Sequence, residues 1–128
     1  MAKILIMDDE PHLRSILTET LKSLGHTILT AEDGRQAVEI GKKENPDLAL
    51  LDIQVPDMDG MSVLKELKKL NPNVKGIILS GTEDINTAVS SIKQGASDFI
   101  SKPFKIEEVK AIVTKVLQSA VPQVRQTS

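Results

Sequence analysis

Cysteine is absent from the chain, which removes disulfides, thiolate metal sites and cysteine nucleophiles and is compatible with a reducing compartment. Tryptophan and tyrosine are absent too, and the only aromatic side chains are Phe99 and Phe104. Aromatic platforms for stacking nucleic-acid bases are therefore missing, and the core has to be built from Leu, Ile, Val and Ala. Neither sign of charge dominates: 16 basic residues face 18 acidic ones, a formal net charge of −2. That balance leaves no electrostatic footprint for nucleic acid or an anionic membrane surface, so no direct nucleic-acid partner is expected. Long hydrophobic runs are lacking as well. The opening run from Ile4 to Met7 is far shorter than a signal-peptide core or a membrane span, so a cytoplasmic protein with no membrane partner is expected.

What is present is ordinary for a globular domain: 128 residues, 40% apolar and 27% charged. Two domains would each be too small to bury a convincing core, so one is expected. Short apolar runs recur at Lys3–Met7, Thr27–Thr30, Leu48–Leu51, Val74–Leu79 and Asp98–Ile100, each too short for a helix. Segments with helical spacing follow each of them: Leu13, Ile16, Leu17, Leu21 and Leu24; a shorter pattern over Gly34–Lys43; Val63, Leu64, Leu67 and Leu70; Ile85, Ala88, Val89 and Ile92; and Ile106, Val109, Val113, Val116 and Leu117. Pro11 suits a first helical position, while Gly25, Asn45-Pro46 and Asn71-Pro72 supply stops. Strict strand–helix alternation predicts an α/β fold, a parallel sheet with helices on both faces. The all-apolar third run reads as a central strand covered on both sides. Periodicity ends near Ser119, which divides the chain into a domain over 1–120 and a flexible tail or linker stub over 121–128.

Open parallel sheets bind ligands outside the carboxyl ends of their strands. The residues expected to follow the strands directly are Asp8 and Asp9 after the first, Asp52 after the third, Ser80 after the fourth and Lys102 after the fifth. Any one aspartate there is explained by helix capping, but capping does not explain the whole set converging on one edge. Like charges about 4 Å apart repel by about 4 kcal/mol at an effective dielectric of about 20, so the cluster calls for a cation. Oxygen ligands without His or Cys favour Mg²⁺, with Mn²⁺ as the alternative, over zinc.

In order and spacing these residues resemble bacterial two-component response-regulator receiver domains of the chemotaxis-regulator-like kind. The resemblance runs from Lys3 to about Leu117 and rests on Ile4-Leu5-Ile6-Met7-Asp8-Asp9-Glu10-Pro11, Asp47-Leu48-Ala49-Leu50-Leu51-Asp52, Pro56-Asp57-Met58-Asp59-Gly60 and Gly95-Ala96-Ser97-Asp98-Phe99-Ile100-Ser101-Lys102-Pro103-Phe104. It implies a doubly wound, flavodoxin-like five-stranded sheet in the order 2-1-3-4-5. It implies that Asp52 takes a phosphoryl group from a sensor histidine kinase or phosphotransfer protein. Mg²⁺ would be held by Asp9, Asp52 and the Gln54 backbone carbonyl, with Asp8 contributing directly or through water. Lys102 would pair with Asp52 and then with the phosphoryl group, Ser80 would donate to a phosphoryl oxygen, and the Lys102-Pro103 bond would be cis. Phe99 matches the switch aromatic whose inward turn remodels the face made by the fourth helix, fifth strand and fifth helix, where an output partner would dock. A phosphorylation-dependent homodimer is compatible with that family. Catalysis would be limited to Mg-dependent phosphotransfer to the domain itself and to autodephosphorylation. Ser80, Gly81 and Phe99 depart from the commoner Thr, Ala and Tyr, and Ser80 keeps the hydroxyl donor.

Three other readings compete. The stretch Val55–Glu66 resembles a calcium loop with Asp57, Asp59 and Glu66 at ligand positions, but Val55 cannot be the first ligand and a strand precedes it, so a turn leading into the third helix is expected. A phosphohydrolase acting on an external substrate would need a general acid and a substrate pocket, for which no residues stand out. An unphosphorylated scaffold would not need the acidic cluster. His12 and His26 are solitary and read as surface residues.

Overall fold

The structure, a computed structural model, describes residues 1–53, 55, 57–81 and 85–118. The expected tail at 121–128 lies outside them. The elements alternate as the periodicity predicts: β1 (Lys3–Met7), α1 (Pro11–Lys22), β2 (Thr27–Ala31), α2 (Gly34–Glu44), β3 (Leu48–Asp52), α3 (Gly60–Leu70), β4 (Lys75–Gly81), α4 (Ile85–Lys93), β5 (Asp98–Lys102) and α5 (Ile106–Gln118). All strand pairs are parallel, and the sheet order is β2-β1-β3-β4-β5.

Side chains along a strand alternate between faces, and the core divides accordingly. Leu5, Met7, Ala49, Leu51 and Ile78 point to one face, where Ala37 of α2 and Val63, Leu64 and Leu67 of α3 cover them. Ile4, Ile6, Leu48, Leu50, Ile77, Leu79 and Ile100 point to the other, beneath Leu17 and Leu21 of α1 and Val109, Val113 and Val116 of α5. All five residues of β3 are buried, as expected of a central parallel strand covered on both sides.

Helix ends follow local chemistry. Pro11 opens α1, where its missing N–H costs nothing. Asp33 caps α2 by accepting from Gln36 N at 2.9 Å, and Asp59 caps α3 by accepting from Ser62 N at 2.8 Å. Asn45 closes α2 in the left-handed region at φ 51°, a conformation that Asn tolerates better than most residues.

Several boundaries differ from the sequence reading. β2, β3, β4 and β5 extend one or two residues further than expected, so Asp52, Ser80 and Lys102 belong to the ladder instead of following it, in register with Leu79, Ser101 and Gly81 respectively. Backbone pairing, which polar side chains do not prevent, sets these ends. α1 stops at Lys22, three residues before Gly25, because the chain turns through Leu24 and Gly25 (φ +93°) with hydrogen bonds back to Leu21 and Lys22. Leu24 thus lies outside the helix and is exposed, as are Leu70 at the end of α3 and Val89 and Ile92 of α4. Helical spacing defines a stripe but not how much of it a neighbour covers.

The close approach of α3 to β4 depends on Gly76, where an added Cβ would fall 2.6 Å from both terminal methyls of the buried Leu64. Gly76→Ala is expected to cost about 1–3 kcal/mol through overpacking, read as a lower urea midpoint by far-UV circular dichroism.

Candidate functional site

Parallel strands bring their carboxyl ends to one edge, and the 2-1-3 order reverses the winding between β1 and β3, where such sheets hold ligands. Asp8 and Asp9 leave β1 there and Asp52 ends β3 beside them. One oxygen from each of the three carboxylates lies within 4.8 Å of the other two. Asp8 is fully buried, Asp52 nearly so, and Asp9 is exposed.

Lys102, at the end of β5, reaches across the edge. Its Nζ donates to Asp8 Oδ2 at 3.0 Å and to Asp52 Oδ2 at 3.1 Å. Burial by itself would lower the lysine pKa, but the hydrogen bond to Asp8 and the charges of Asp52 and Asp8 outweigh it, leaving the group above its ordinary value. Asp8 is further fixed by accepting from Glu10 N at 2.9 Å, while its carbonyl accepts from Arg14 Nη1 at 2.7 Å. No sequence motif singles out Arg14, since a bond back across six positions depends on how α1 leaves the loop.

Ser80 is fully buried, and its Oγ has no hydrogen-bond partner among the described residues. A buried hydroxyl left so costs about 1–3 kcal/mol, which an acceptor oxygen would recover. Ser80 lies one position beyond Leu79, the register partner of Asp52. Phe99 pairs with Ile78 and packs half-buried against the core on the α2–α3 face. The Lys102-Pro103 bond is cis. Gln54, expected to offer a backbone carbonyl, lies outside the described residues.

The donor set suits a hard divalent cation: three carboxylates against one ammonium leave an excess of negative charge, and all the ligands are oxygen. The calcium-loop residues are otherwise engaged. Asp59 caps α3, and Asp57 accepts from Gly34 N and Arg35 N at 2.8 and 2.9 Å. These two backbone bonds hold the Asp57 carboxyl below its ordinary pKa. His12 is exposed as expected, but His26 is partly buried and accepts from Ala2 N at 3.0 Å. Burial first, and then the N-terminal ammonium, lower its pKa. It stands beside the start of β2, away from the acidic edge.

A carboxylate cluster at the switch point of a doubly wound sheet, with a lysine and a buried hydroxyl on the adjoining strands, defines a phosphoacceptor-type signalling domain. The chain belongs to the response regulator receiver domain family, which it matches over residues 4–114. Members of this family act as phosphorylation-dependent switches in two-component systems, taking the phosphoryl group from histidine kinases. The chain is 38% identical to sporulation initiation phosphotransferase F of Bacillus subtilis over 115 residues, with 90% of this chain and 93% of the relative covered. It is also 38% identical to a probable transcriptional regulator, ycf27, of Porphyridium aerugineum, covering 91% of this chain but 48% of that protein. It therefore spans about half the length of such relatives. The receiver domain of NtrX from Brucella abortus superposes with a TM-score of 0.85 at 36% identity, covering 91% of this chain and 98% of that one. No helix among the described residues is long and apolar enough to cross a membrane.

Two outcomes follow from the charge balance. Asp9→Asn removes the exposed one of three like charges, relieving a repulsion worth about 1 kcal/mol in a water-like dielectric. It should raise thermal stability in chelator by about that amount and abolish most of the stabilisation by Mg²⁺, both read from circular-dichroism melts. Because the pKa of Lys102 is raised, its contribution to stability is complete below the ordinary lysine value of 10.5 and is lost as pH rises through the folded value. Urea titrations above pH 10.5 should show a decline in the wild type that is shallower in Lys102→Met.

Proposed function

We propose that Asp52 is the phosphoacceptor, that Asp8, Asp9, Asp52 and the Gln54 carbonyl hold Mg²⁺ or Mn²⁺, and that Lys102, Ser80 and Phe99 read the phosphoryl group. The observation that carries this reading is the position of the Lys102 ammonium, 3.1 Å from Asp52 Oδ2, with a buried Ser80 hydroxyl that has no partner among the described residues on the adjoining strand. An Asp52 carboxylate oxygen forms the bond to phosphorus as the phosphorus–nitrogen bond of a phosphohistidine breaks, and the leaving imidazole nitrogen keeps the electron pair. Such transfers depend mainly on positioning and charge neutralisation. The divalent cation, when bound, offsets charge on the carboxylates and on the phosphoryl oxygens.

The protein's own groups do the rest. Lys102 exchanges part of its pairing with Asp52 for the phosphoryl oxygens, a charge-assisted contact, and Ser80 Oγ donates to a phosphoryl oxygen. Movement of Ser80 leaves space on β4 next to Ile78, the register partner of Phe99, and Phe99 turns inward to occupy it. The output partner docks on α4, β5 and α5, where Val89 and Ile92 already stand exposed, and a phosphorylation-dependent homodimer would use the same face. Phosphorylation acts by shifting a pre-existing equilibrium between two arrangements of that face. Besides accepting the phosphoryl group, the domain catalyses only its own slow, Mg-dependent dephosphorylation. Residues 1–120 form the receiver, 121–128 a tail or linker stub, and the setting is cytoplasmic. As a stand-alone unit it would relay phosphoryl groups or act by protein contact. As part of a longer regulator it would signal to a further domain.

Incubation with acetyl phosphate and Mg²⁺ should add one phosphoryl increment to the intact mass of the wild type. Asp52→Asn, or chelation of the metal, should abolish it. An unmodified wild type under rapid trapping, with no thermal stabilisation by Mg²⁺, would favour an unphosphorylated scaffold instead.

A further inference from the structure

The loop between β3 and α3 leaves the sheet after Asp52 and re-enters regular structure at Gly60. Its second half is tied down at several points outside the set of groups assigned to phosphate or metal. Asp57 spans two successive backbone donors at the start of α2, Oδ1 taking Gly34 N at 2.8 Å and Oδ2 taking Arg35 N at 2.9 Å. Met58 lies against the same turn so closely that a Cβ on Gly34 would fall 2.7 Å from its own Cβ. Asp59 caps α3, and Gly60 sits where a Cβ would come 2.7 Å from the Asp52 carbonyl oxygen.

α2 already has its own cap. Asp33 Oδ1 accepts from Gln36 N at 2.9 Å, leaving the first two amides of the helix without an intrahelical acceptor. Those are the donors Asp57 takes, from a position 22 to 23 residues away in the sequence. The carboxylate therefore joins two elements: it completes the end of α2 and ties to it the residues 57–59 that lead into α3. Both backbone bonds favour the ionised form, so the bridge persists at neutral pH.

We infer that Asp57 is a positioning residue for the phosphoacceptor site, bridging the start of α2 to the β3–α3 loop and thereby holding the stretch Asp57–Gly60, which packs against the Asp52 carbonyl, so that the carboxylates can bind a divalent cation. The inference rests on the proposed phosphoacceptor reading. Without the bridge, cation binding would have to order that stretch itself, and part of the binding free energy would go into ordering. Groups that orient metal ligands from behind typically change metal affinity by about 10- to 100-fold when removed, and a bridge acting through the loop backbone belongs at the lower end of that range.

The test compares full-length wild type, Asp57→Ala, Asp57→Asn and Asp33→Ala by calorimetric titration with Mg²⁺ alone and by thermal melts in chelator. Asp57→Ala should weaken Mg²⁺ by about tenfold, with a smaller loss in Asp57→Asn, which keeps one acceptor oxygen. Asp33→Ala, which removes the local cap of the same helix, should lower the melting temperature while leaving Mg²⁺ affinity within about twofold of wild type. In the wild type, Mg²⁺ should also slow hydrogen exchange at the Gly34 and Arg35 amides. Wild-type affinity in Asp57→Ala would overturn the inference, as would an equal loss of affinity in Asp33→Ala, since either result makes Asp57 a helix cap and nothing more. If Asp57→Ala does not fold, Asp57→Asn decides by the same comparison. A wild type that binds no Mg²⁺ would overturn the phosphoacceptor reading itself, and the inference with it.

Discussion

Asp8, Asp9 and Asp52 crowd three carboxylates into a space in which their oxygens lie within 4.8 Å of one another, and Lys102 supplies the cation that makes this tolerable by pairing with the two that are buried. Much of the molecule is arranged around that balance. Removing one partner of a buried ion pair leaves a charge without compensation, so β5 must end where its last residue reaches across to β1 and β3. The remaining negative charge is not neutralised within the group. A site in that condition favours a divalent cation, and with it can receive a phosphoryl group that the carboxylates alone would repel.

The sheet supplies the rigidity this requires. β1 and β3 are buried along almost their whole length, with apolar side chains alternating between two separate cores. The acidic edge is thus mounted on two buried, closely packed strands. The residues proposed to respond to phosphate stand further out, on β4 and β5, where Phe99 is half-buried and Val89 and Ile92 of the adjoining helix are exposed. A firm site beside a less completely covered face suits a protein that must hold a small ligand and change its surface when it does so.

The fold was largely legible because its signals are local. Five apolar runs and five helical patterns matched the observed elements, including the short pattern at α2, and the stops at Asn45 and Asn71 fell at helix ends. The ends of β3, β4 and β5 were less legible because backbone pairing carries Asp52, Ser80 and Lys102 into the ladder despite their polar side chains. Leu24 and Leu70 continue apolar stripes in the sequence, yet one lies in a turn and the other at a helix end, and both are exposed. The sequence alone presents Asp57 as a turn residue or a calcium-loop ligand. Its actual partners, Gly34 and Arg35, are distant in sequence and offer only backbone amides, which no side-chain motif records.

By itself the sequence determined the alternation of strands and helices, the acidic and basic residues available at the strand ends and the family to which they belong, because spacing and residue type are properties of the chain. Only the tertiary structure decided which of those charges touch: that Lys102 bonds to Asp8 as well as Asp52, that Arg14 holds the Asp8 carbonyl, that Ser80 is left without a partner among the described residues, and that Asp57 closes the end of a helix from another loop. Contacts of this kind depend on distances of about 3 Å between groups far apart along the chain, and the folding of the sheet sets those distances.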